Sequence, residues 1–251
     1  MTTDRKVTVI IGGSRGIGAA TAERLASDGH DLVLTYVRHG EAAEQLVTRL
    51  ASYGVRCRAI SADVTDENQV AALFDEAMST FGLITGLVNN AGVTASIGNL
   101  SDTAVAVVRK VVDVNLMGVL LCCRQAVPLM SSRRGGQGGA IVNISSAAAA
   151  TGAPHEYVHY AAAKAGVEAL TVGLAKEVAE EGIRVNAVAP GTVTTQIHAD
   201  AGDPDRPVRV AERIPMRRAG RPEEIAEAVA WLLGAGASYA TGAVLRVAGG
   251  L

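Results

Sequence analysis

The stretch HEYVHYAAAKAG, residues 155–166, places several acid–base side chains ahead of a single lysine. It contains Tyr157, His159 and Tyr160, in a chain where only 3% of the residues are aromatic. A tyrosine phenol, with an ordinary pKa of about 10, exchanges protons near neutral pH only if a nearby cation lowers that pKa. Lys164 is the obvious cation.

Helical spacing separates the two tyrosines. If residues 156–181 form a helix, Tyr160 and Lys164 lie on one face, about 6 Å apart along the axis. Tyr157 shares that face but is about 10 Å from the lysine along the axis, and His159 points off the face. The geometry therefore favours Tyr160, and we expect Tyr157 to be a packing residue or part of the wall of a substrate pocket.

A second pattern, VTVIIGGSRGIGAATAERLASDG at residues 7–29, predicts a strand, a glycine turn and a helix. Gly12, Gly16 and Gly18 lack a Cβ atom, which permits a tight turn and close approach of the backbone to a pyrophosphate. The helix N-terminus favours the negative charge of that group. The alternative is a structural turn, but a match at the first strand–helix junction favours dinucleotide binding.

The residues that would face the adenosine ribose favour NADP over NAD. The second strand ends near Tyr36 and Arg38 with no acid to bind ribose hydroxyls, and Arg15 lies inside the glycine turn. Two guanidinium groups can pair with a 2′-phosphate, although Arg38 can equally be a solvated loop residue. Asp63, after the third strand, either accepts from the adenine amino group or caps the helix that begins near Asp66.

Seven short apolar runs alternate with amphipathic helical segments along the chain. Their length suits strands buried on both faces, and the alternation predicts parallel βαβ units. We therefore expect an α/β doubly wound Rossmann fold, with a seven-stranded, mostly parallel sheet and helices on both faces in three layers. The runs are KVTVII, DLVLTY, VRCRAI, ITGLVNN, AIVNIS, IRVNAVA and AVLRVA.

The chain of 251 residues, 49% of them hydrophobic, is long enough to bury a large core. We expect a single domain spanning residues 1–251. Residues 194–220 carry three prolines and many charges and directly follow a predicted strand. Because ligands of open α/β sheets bind beyond the carboxyl ends of the strands, this segment is either a substrate lid or a solvated loop.

Composition excludes several classes of function. A net charge of −2 without a long basic run argues against nucleic acid and anionic membranes as partners. The polar start at residues 1–6 is followed by only a short apolar run, so we expect neither a signal peptide nor a membrane span, and a cytoplasmic protein. Cys57, Cys122 and Cys123 have no ligand spacing, which predicts reduced, inert thiols and no metal site.

Six motifs occur in the order and spacing of the short-chain dehydrogenase/reductase family, which the chain resembles over nearly its whole length. This resemblance implies a seven-stranded Rossmann sheet and a nicotinamide cofactor. It also implies a homotetramer, or otherwise a dimer, formed through two long helices near residues 103–131 and 156–181. The motifs are the glycine turn at 12–18, NNAG at 89–92, Asn115 in DVNLMG, ISS at 144–146, Tyr160-x-x-x-Lys164 and PGTVTT from Pro190.

The resemblance assigns roles to four catalytic candidates. Tyr160 resembles the family's general acid/base, and Lys164 the group that lowers its pKa and holds the nicotinamide ribose. Ser146 would hydrogen-bond the substrate carbonyl as charge develops on its oxygen, with Ser145 as its rival. Asn115 resembles the asparagine that holds a water between Lys164 and a proton relay.

The resemblance also implies the cofactor contacts. Asn90 and its successors would line the adenosine side, the backbone around Val193 would bond the carboxamide, and Thr195 would meet the pyrophosphate or carboxamide side. One departure is Ile11, which stands where the family usually has a threonine beneath the glycine turn. The expected cofactor set is Gly12, Ser14, Arg15, Gly16, Ile17, Gly18, Tyr36, Arg38, Asp63, Val64, Asn90, Ala91, Gly92, Tyr160, Lys164, Pro190, Gly191, Val193 and Thr195.

We therefore expect an NADP(H)-dependent oxidoreductase that interconverts a ketone or aldehyde and a secondary alcohol. The alternatives are a sugar or polyol dehydrogenase and a catalytically silent nucleotide-binding regulator. The substrate stays open because the sequence resembles both 3-oxoacyl-(acyl-carrier-protein) reductases and glucose dehydrogenases. An acyl-carrier partner would need a basic surface, but acids interleave with the arginines that would provide it. Those arginines are Arg206, Arg209, Arg213, Arg217 and Arg218.

Overall fold

The computed structural model describes residues 6–251; residues 1–5 lie outside the described part of the chain. The seven predicted strands form one sheet in the order β3-β2-β1-β4-β5-β6-β7, and every neighbouring pair is parallel. The predicted doubly wound sheet is therefore confirmed. The strands are β1 Val7–Ile11, β2 Asp31–Tyr36, β3 Cys57–Ser61, β4 Gly86–Asn89, β5 Gly139–Ile144, β6 Ile183–Pro190 and β7 Val244–Val247.

Helices cover both faces of the sheet. They are α1 Gly16–Ser27, α2 Gly40–Leu50, α3 Glu67–Phe81, α4 Val105–Val112, α5 Gly118–Met130, α6 Ala148–Thr151, α7 Val158–Val178, α8 Ile197–Asp200, α9 Arg206–Arg209 and α10 Pro222–Leu233. Successive residues of β1 enter opposite cores, because side chains alternate across a strand. Ile11 packs in a core with Phe74 of α3, whereas Ile10 packs in a second core with Leu25 of α1. This confirms the three-layer arrangement.

The strand order reverses between β1 and β4, where one half of the sheet continues to β2 and the other to β5. The connections leave these two carboxyl ends in opposite directions, so a crevice opens between them. The glycine turn follows β1, and the NNAG motif begins at Asn89, the last residue of β4. Topology alone therefore brings these two motifs to the same edge.

The long helix expected near residues 103–131 is present over residues 105–130, but it is not α-helical throughout. A π-helical turn, Asp113–Met117, separates α4 from α5. The amide of Asn115 donates to the carbonyl oxygens of Val111 at 2.8 Å and Val93 at 2.7 Å, and its oxygen accepts from the Val93 amide. These bonds attach the helix to the segment after β4 at the π-helical turn, where the backbone hydrogen bonds span five residues instead of four.

The helix expected over 156–181 also begins later and ends earlier, as α7 runs over Val158–Val178. Ala153 and His155 have φ values of 44° and 61°, in the left-handed region, so the chain is not yet helical there. Tyr157 is the N-cap with φ −156°. It therefore precedes the helix instead of standing on the helical face with Lys164.

Residues 194–220 leave and re-enter the sheet edge at one place. Val193 and Gly220 form a parallel bridge, the Thr194 amide donates to the Gly220 carbonyl, and the Gly220 amide donates to the Thr192 carbonyl, both at 2.9 Å. Between these ends the segment contains only the one-turn helices α8 and α9 and a 3-10 turn. It is a closed excursion from the carboxyl end of β6, and it is called the lid segment after the role expected of it, which stays a prediction.

Among residues 6–251, no helix combines the length and the hydropathy needed to cross a bilayer.

The need for glycine at position 18 can be tested by a substitution with alanine, which adds one methyl group. A Cβ atom there would lie 2.2 Å from the Gly12 carbonyl oxygen and 2.7 Å from Nδ2 of Asn90. We expect Gly18→Ala to lower the free energy of unfolding by about 1–3 kcal/mol, because the glycine turn must move. Thermal denaturation measures this loss. Gly98→Ala, where a Cβ meets nothing within 4 Å, is the control and should melt like the parent; equal melting of both variants would contradict the packing argument.

Candidate functional site

A cavity of about 580 Å³ runs along the carboxyl ends of the strands. Its volume is that of an ordinary ligand pocket. Nineteen of the twenty-one residues expected in the site line it, namely Gly12, Ser14, Arg15, Gly16, Ile17, Tyr36, Arg38, Asp63, Val64, Asn90, Ala91, Gly92, Ser146, Tyr160, Lys164, Pro190, Gly191, Val193 and Thr195. The two outside its lining, Gly18 and Asn115, lie directly behind it and support it.

The glycine turn is held from two sides. The Gly12 amide donates to Oγ1 of Thr35 at 2.9 Å, and Nδ2 of Asn90 donates to the Gly12 carbonyl oxygen at 2.8 Å. Ile11 has no side-chain group that could hydrogen-bond to the turn from beneath it. Thr35, on β2, supplies a side-chain hydrogen bond to the turn instead. Gly18 packs against the same carbonyl group, so the turn, β2 and the NNAG segment form one unit.

At the end of the cavity beside β2, where adenosine is expected, Tyr36, Arg38 and Arg15 line the cavity together. Arg38 is exposed at the cavity margin, which leaves its guanidinium available to an anion. Arg15, half-exposed, forms an ion pair with Asp200 of α8. The lid segment thus reaches the group that we expected to bind a phosphate, a contact between residues 185 positions apart that local sequence patterns do not show.

Asp63 lines the cavity but does not cap the following helix. Its Oδ1 accepts from the amide and hydroxyl of Thr65 at 2.9 and 2.8 Å. Asp66 is the N-cap of α3, and its carboxylate accepts from the amides of Asn68 and Gln69. Of the two roles considered for Asp63, helix capping is therefore wrong.

Tyr160 and Lys164 lie one turn apart on α7, as their spacing predicts. Lys164 Nζ is 5.7 Å from the centre of the Tyr160 ring and donates to the carbonyl oxygen of Ile144 at 2.7 Å. Both side chains are buried while lining the cavity. The strand β5 ends at Ile144, so this bond fastens the helix across the end of the strand.

Burial disfavours the charged forms of both groups. It raises the pKa of Tyr160 to about 12, although a hydrogen bond with Ser146 acts in the opposite direction. It lowers the pKa of Lys164 to about 8. In the protein by itself, burial thus outweighs the lowering of the phenol pKa that we expected from the lysine. A positive charge brought into the cavity would lower the phenol pKa.

The two serines after β5 have different surroundings. The Ser145 hydroxyl is buried and donates to Oε1 of Glu168 at 2.8 Å. Ser146 is only partly buried, and its hydroxyl contacts Tyr160 and accepts from the Ala148 amide at 3.2 Å. Only Ser146 is therefore placed to share a substrate oxygen with the phenol, which favours it over Ser145.

Asn115 lies behind Gly92. A Cβ atom at Gly92 would meet Oδ1 of Asn115 at 2.8 Å and Nζ of Lys164 at 3.7 Å, so only glycine leaves room for this approach. Asn115 is fully buried and bonded to Val93 and Val111. Its position between the NNAG segment and the lysine is compatible with the relay role implied by the resemblance.

The remaining groups of the opening stretch are now placed. Tyr157 lines the cavity, its ring meets that of Tyr160 edge to face at 5.5 Å, and burial raises its pKa to about 12. His159 is buried outside the cavity lining, and neither ring nitrogen has a hydrogen-bond partner within residues 6–251. Tyr157 is therefore a wall residue, in agreement with its expected role.

The cavity residues that the sequence did not place in the site include Glu156, His198 and Arg206, the last of which was considered only for a carrier surface. The carboxylate of Glu156 accepts from both terminal nitrogens of Arg206. Burial alone would lower the pKa of Arg206, but hydrogen bonds to Glu156 and nearby acids raise it. His198 contacts the Val193 carbonyl oxygen at 2.9 Å, and burial lowers its pKa.

The arginine cluster considered as a surface for an acyl carrier is divided by the structure. Arg206 is buried. At the surface, Arg209 pairs with Asp203 and Arg218 with Glu224. Paired charges of this kind give little net field.

The cysteines are free, and burial raises the pKa of the Cys57 and Cys123 thiols to about 12 and that of Cys122 as well. Such thiols carry little thiolate, the reactive form. In the part of the chain that the structure describes, no group of three or more His, Cys, Asp or Glu side chains is arranged to hold a metal ion.

The cavity suits an extended dinucleotide. One end has the glycine turn and a helix N-terminus for a pyrophosphate, flanked by Arg15 and Arg38, and the other end has Lys164 and Tyr160. Gly12 has φ 73°, and a Cβ atom there would lie 3.0 Å from the Ala91 backbone, so the narrow crevice itself requires glycine. The residues present therefore fit a nicotinamide dinucleotide.

Comparison with known proteins gives close relatives. A family model described as enoyl-(acyl carrier protein) reductase matches residues 12–251. An uncharacterized oxidoreductase, YgfF, of Escherichia coli is 43% identical, covering 97% of this chain and 99% of that protein. The 3beta-hydroxysteroid dehydrogenase 1 of Eggerthella lenta is 41% identical, covering 98% of this chain and 93% of that protein. The 3-oxoacyl-[acyl-carrier-protein] reductase FabG of Staphylococcus aureus is 38% identical, with 98% of each chain covered.

Solved structures agree. The crystal structure of levodione reductase superposes with a TM-score of 0.90 at 35% identity, covering 98% of this chain and 96% of that chain. A blue fluorescent protein from a metagenomic library, in complex with NADPH, superposes with a TM-score of 0.89 at 34% identity, covering 98% and 97%. Identities above 30% over nearly the whole chain confirm the resemblance inferred from the motifs. This protein is an oxidoreductase of the short-chain dehydrogenase/reductase family, acting on CH–OH or carbonyl groups.

Proposed function

We propose that the protein is an NADP(H)-dependent oxidoreductase that interconverts a ketone or aldehyde and a secondary alcohol, with Tyr160 as general acid/base. The observation that carries this proposal is the meeting of Ser146, Tyr160 and Lys164 in one cavity whose other end suits a dinucleotide. A nicotinamide cofactor supplies or accepts the hydride, and its oxidised ring adds a positive charge to the site.

The side chains divide the work on the substrate oxygen. In the reductive direction, the hydroxyls of Ser146 and Tyr160 hold the carbonyl oxygen, and Tyr160 delivers a proton to it as negative charge develops. Lys164, held by the Ile144 carbonyl, keeps its charge close to the phenol and stabilises the phenolate that remains. Oxidation of the alcohol reverses these roles.

The guanidinium groups support NADP over NAD. Arg15 and Arg38 flank the same end of the cavity and can pair with a 2′-phosphate. The structural relative solved with NADPH is compatible with this preference. Asp200 opposes it, because its carboxylate already pairs with Arg15 and would have to give up that contact to a phosphate.

The walls near Tyr160 support a substrate with an apolar body. Tyr157, Tyr160 and Ala153 belong to one apolar cluster, and Val93 and Ala148 pack against it. An aldose or polyol would bring several hydroxyls against these walls and lose hydrogen bonds to water without replacement. Ketones with a hydrocarbon frame are therefore favoured over sugars.

We also propose one domain with residues 194–220 as its lid, and assembly of copies through the α4–α5 and α7 helices. Exposed apolar side chains on these helices support the assembly. They are Val105, Met117, Val158 and Val172. An oligomer would remove such side chains from water.

Tyr160→Phe removes the proton donor but keeps the ring. We expect kcat for ketone reduction to fall by about 10²–10⁴-fold, with NADPH affinity largely unchanged. Steady-state rates and NADPH fluorescence titration measure the two effects. Tyr157→Phe is the matched control and should mainly change substrate affinity. Loss of turnover in Tyr157→Phe with retention in Tyr160→Phe would overturn the assignment.

Arg15→Ala or Arg38→Ala should weaken binding of NADPH more than of NADH. Loss of a charge-assisted hydrogen bond corresponds to about a 10- to 100-fold weaker Kd. Asp200→Asn should act oppositely, tightening NADPH binding up to about fivefold because an exposed ion pair no longer competes. Calorimetric titration with both cofactors measures these changes, and equal effects on NADPH and NADH would contradict the NADP preference.

A substrate panel tests the carbonyl specificity. We expect NADPH oxidation with cyclic ketones and diketones to be faster than with aldoses, because the walls are apolar. The panel also includes acyl thioesters and, in the reverse direction with NADP⁺, sugars and alicyclic alcohols. Faster turnover of sugars would favour the polyol dehydrogenase, and tight NADPH binding without oxidation on any member would favour the silent regulator.

A further inference from the structure

One arginine of the lid segment differs from the others. Arg206 is only 8% exposed, whereas Arg209, Arg213, Arg217 and Arg218 are exposed. Its two terminal nitrogens donate to the two carboxylate oxygens of Glu156 at 3.1 and 2.5 Å. Such a bidentate pair fixes orientation as well as distance. The lid segment is thereby attached to the turn that precedes α7.

The Arg206 guanidinium is linked to Tyr160, the proposed catalytic tyrosine, through the ring of Tyr157. Its central carbon lies 5.3 Å from the centre of the Tyr157 ring, within the range of a cation–π contact. The Tyr157 ring in turn meets Tyr160 at 5.5 Å with an interplanar angle of 86°. Arg206, Tyr157 and Tyr160 all line the cavity. Lid position and tyrosine position are therefore mechanically linked.

The turn that carries Glu156 is unfavourable by itself. Ala153 and His155 adopt left-handed backbone conformations that non-glycine residues enter at a cost. External contacts hold the turn: the Glu156 carbonyl accepts from the Gly98 amide at 2.9 Å, and the Arg206 pair holds its side chain. Loss of the ion pair therefore removes one of the contacts that keep Tyr157 at the start of α7.

We propose that Arg206 and Glu156 are positioning residues for ketone reduction: their ion pair latches the lid segment over the substrate end of the cavity and holds Tyr157 against Tyr160. This role rests on the proposed function. Because the carboxylate balances the guanidinium, the latch adds no net charge to the cavity. It orders the walls around an uncharged carbonyl, whereas the contact of the lid segment with the cofactor end is made by a different residue, Asp200.

The test uses Arg206→Gln, Glu156→Gln and their combination in the full chain. We expect each single variant to lower kcat/KM for the best ketone by about 10- to 100-fold, since small displacements near a reacting centre have effects of that order. The NADPH Kd should stay within about twofold. The kcat/KM of the double variant should be no lower than that of the less active single variant, because both substitutions remove the same interaction.

Arg209→Gln is the matched control. Arg209 lies on the same short helix and pairs with Asp203 at the surface, so its loss should leave kcat/KM and NADPH Kd unchanged. If Arg206→Gln and Arg209→Gln behave alike, or if the two single losses multiply in the double variant, the latch is overturned. Should Arg206→Gln not fold, Arg206→Lys keeps the charge but not the two-pronged geometry and gives the same comparison.

Hydrogen exchange separates failure of the latch from failure of the proposed function, because it needs no substrate. Arg206→Gln should speed exchange of the amides of residues 208–210 and 157–161, and Arg209→Gln should not affect the second group. Unchanged exchange at 157–161 in Arg206→Gln would overturn the latch even in an active enzyme. Turnover retained in Tyr160→Phe would overturn the proposed function while leaving the exchange result standing.

Discussion

A buried lysine sets the central constraint of the site. An ammonium group out of water is costly unless polar partners replace its hydration, and Lys164 is 2% exposed. Its hydrogen bond to the Ile144 carbonyl supplies one such partner and fixes α7 across the end of β5. Ser146 follows β5, and Tyr160 precedes the lysine by one helical turn. Satisfying the lysine therefore also brings the phenol and the serine hydroxyl together.

The same edge is joined by a polar network to the dinucleotide end. Asn115 bonds to Val93, just after the NNAG segment, and Asn90 within that segment bonds to the Gly12 carbonyl of the glycine turn. The helix that carries Asn115, the segment after β4 and the glycine turn after β1 are thus connected by hydrogen bonds. Because interiors are closely packed, such links hold the two ends of the cavity at a fixed separation.

The sequence predicted the sheet well because the five inner strands are buried on both faces and are correspondingly rich in apolar residues. The edge strands β3 and β7 are more exposed. It predicted Tyr160 and Lys164 because both lie on one helix, where spacing determines geometry. Two features depended on contacts far along the chain. The π turn at Asn115 is held by the backbone of Val93, and burial of Arg206 needs Glu156. No local pattern contains these partners. A third feature is local: Tyr157 precedes α7 because Ala153 and His155 adopt left-handed backbone conformations, which their residue types do not predict.

This division has a consequence for specificity. The proposed reacting groups are positioned by backbone geometry and strand ends. Relatives named for different substrates are 41% and 38% identical to this chain over 98% of its length, and solved relatives superpose on it at TM-scores of 0.90 and 0.89. A shared scaffold cannot by itself select a substrate. The lid segment differs in kind, because two of its contacts to the cavity, Arg206 with Glu156 and Asp200 with Arg15, are made by side chains. Side-chain contacts can change without disturbing the sheet. Substrate and cofactor preference in this protein should therefore be adjusted mainly through the lid, while proton transfer stays with the fixed edge of the sheet.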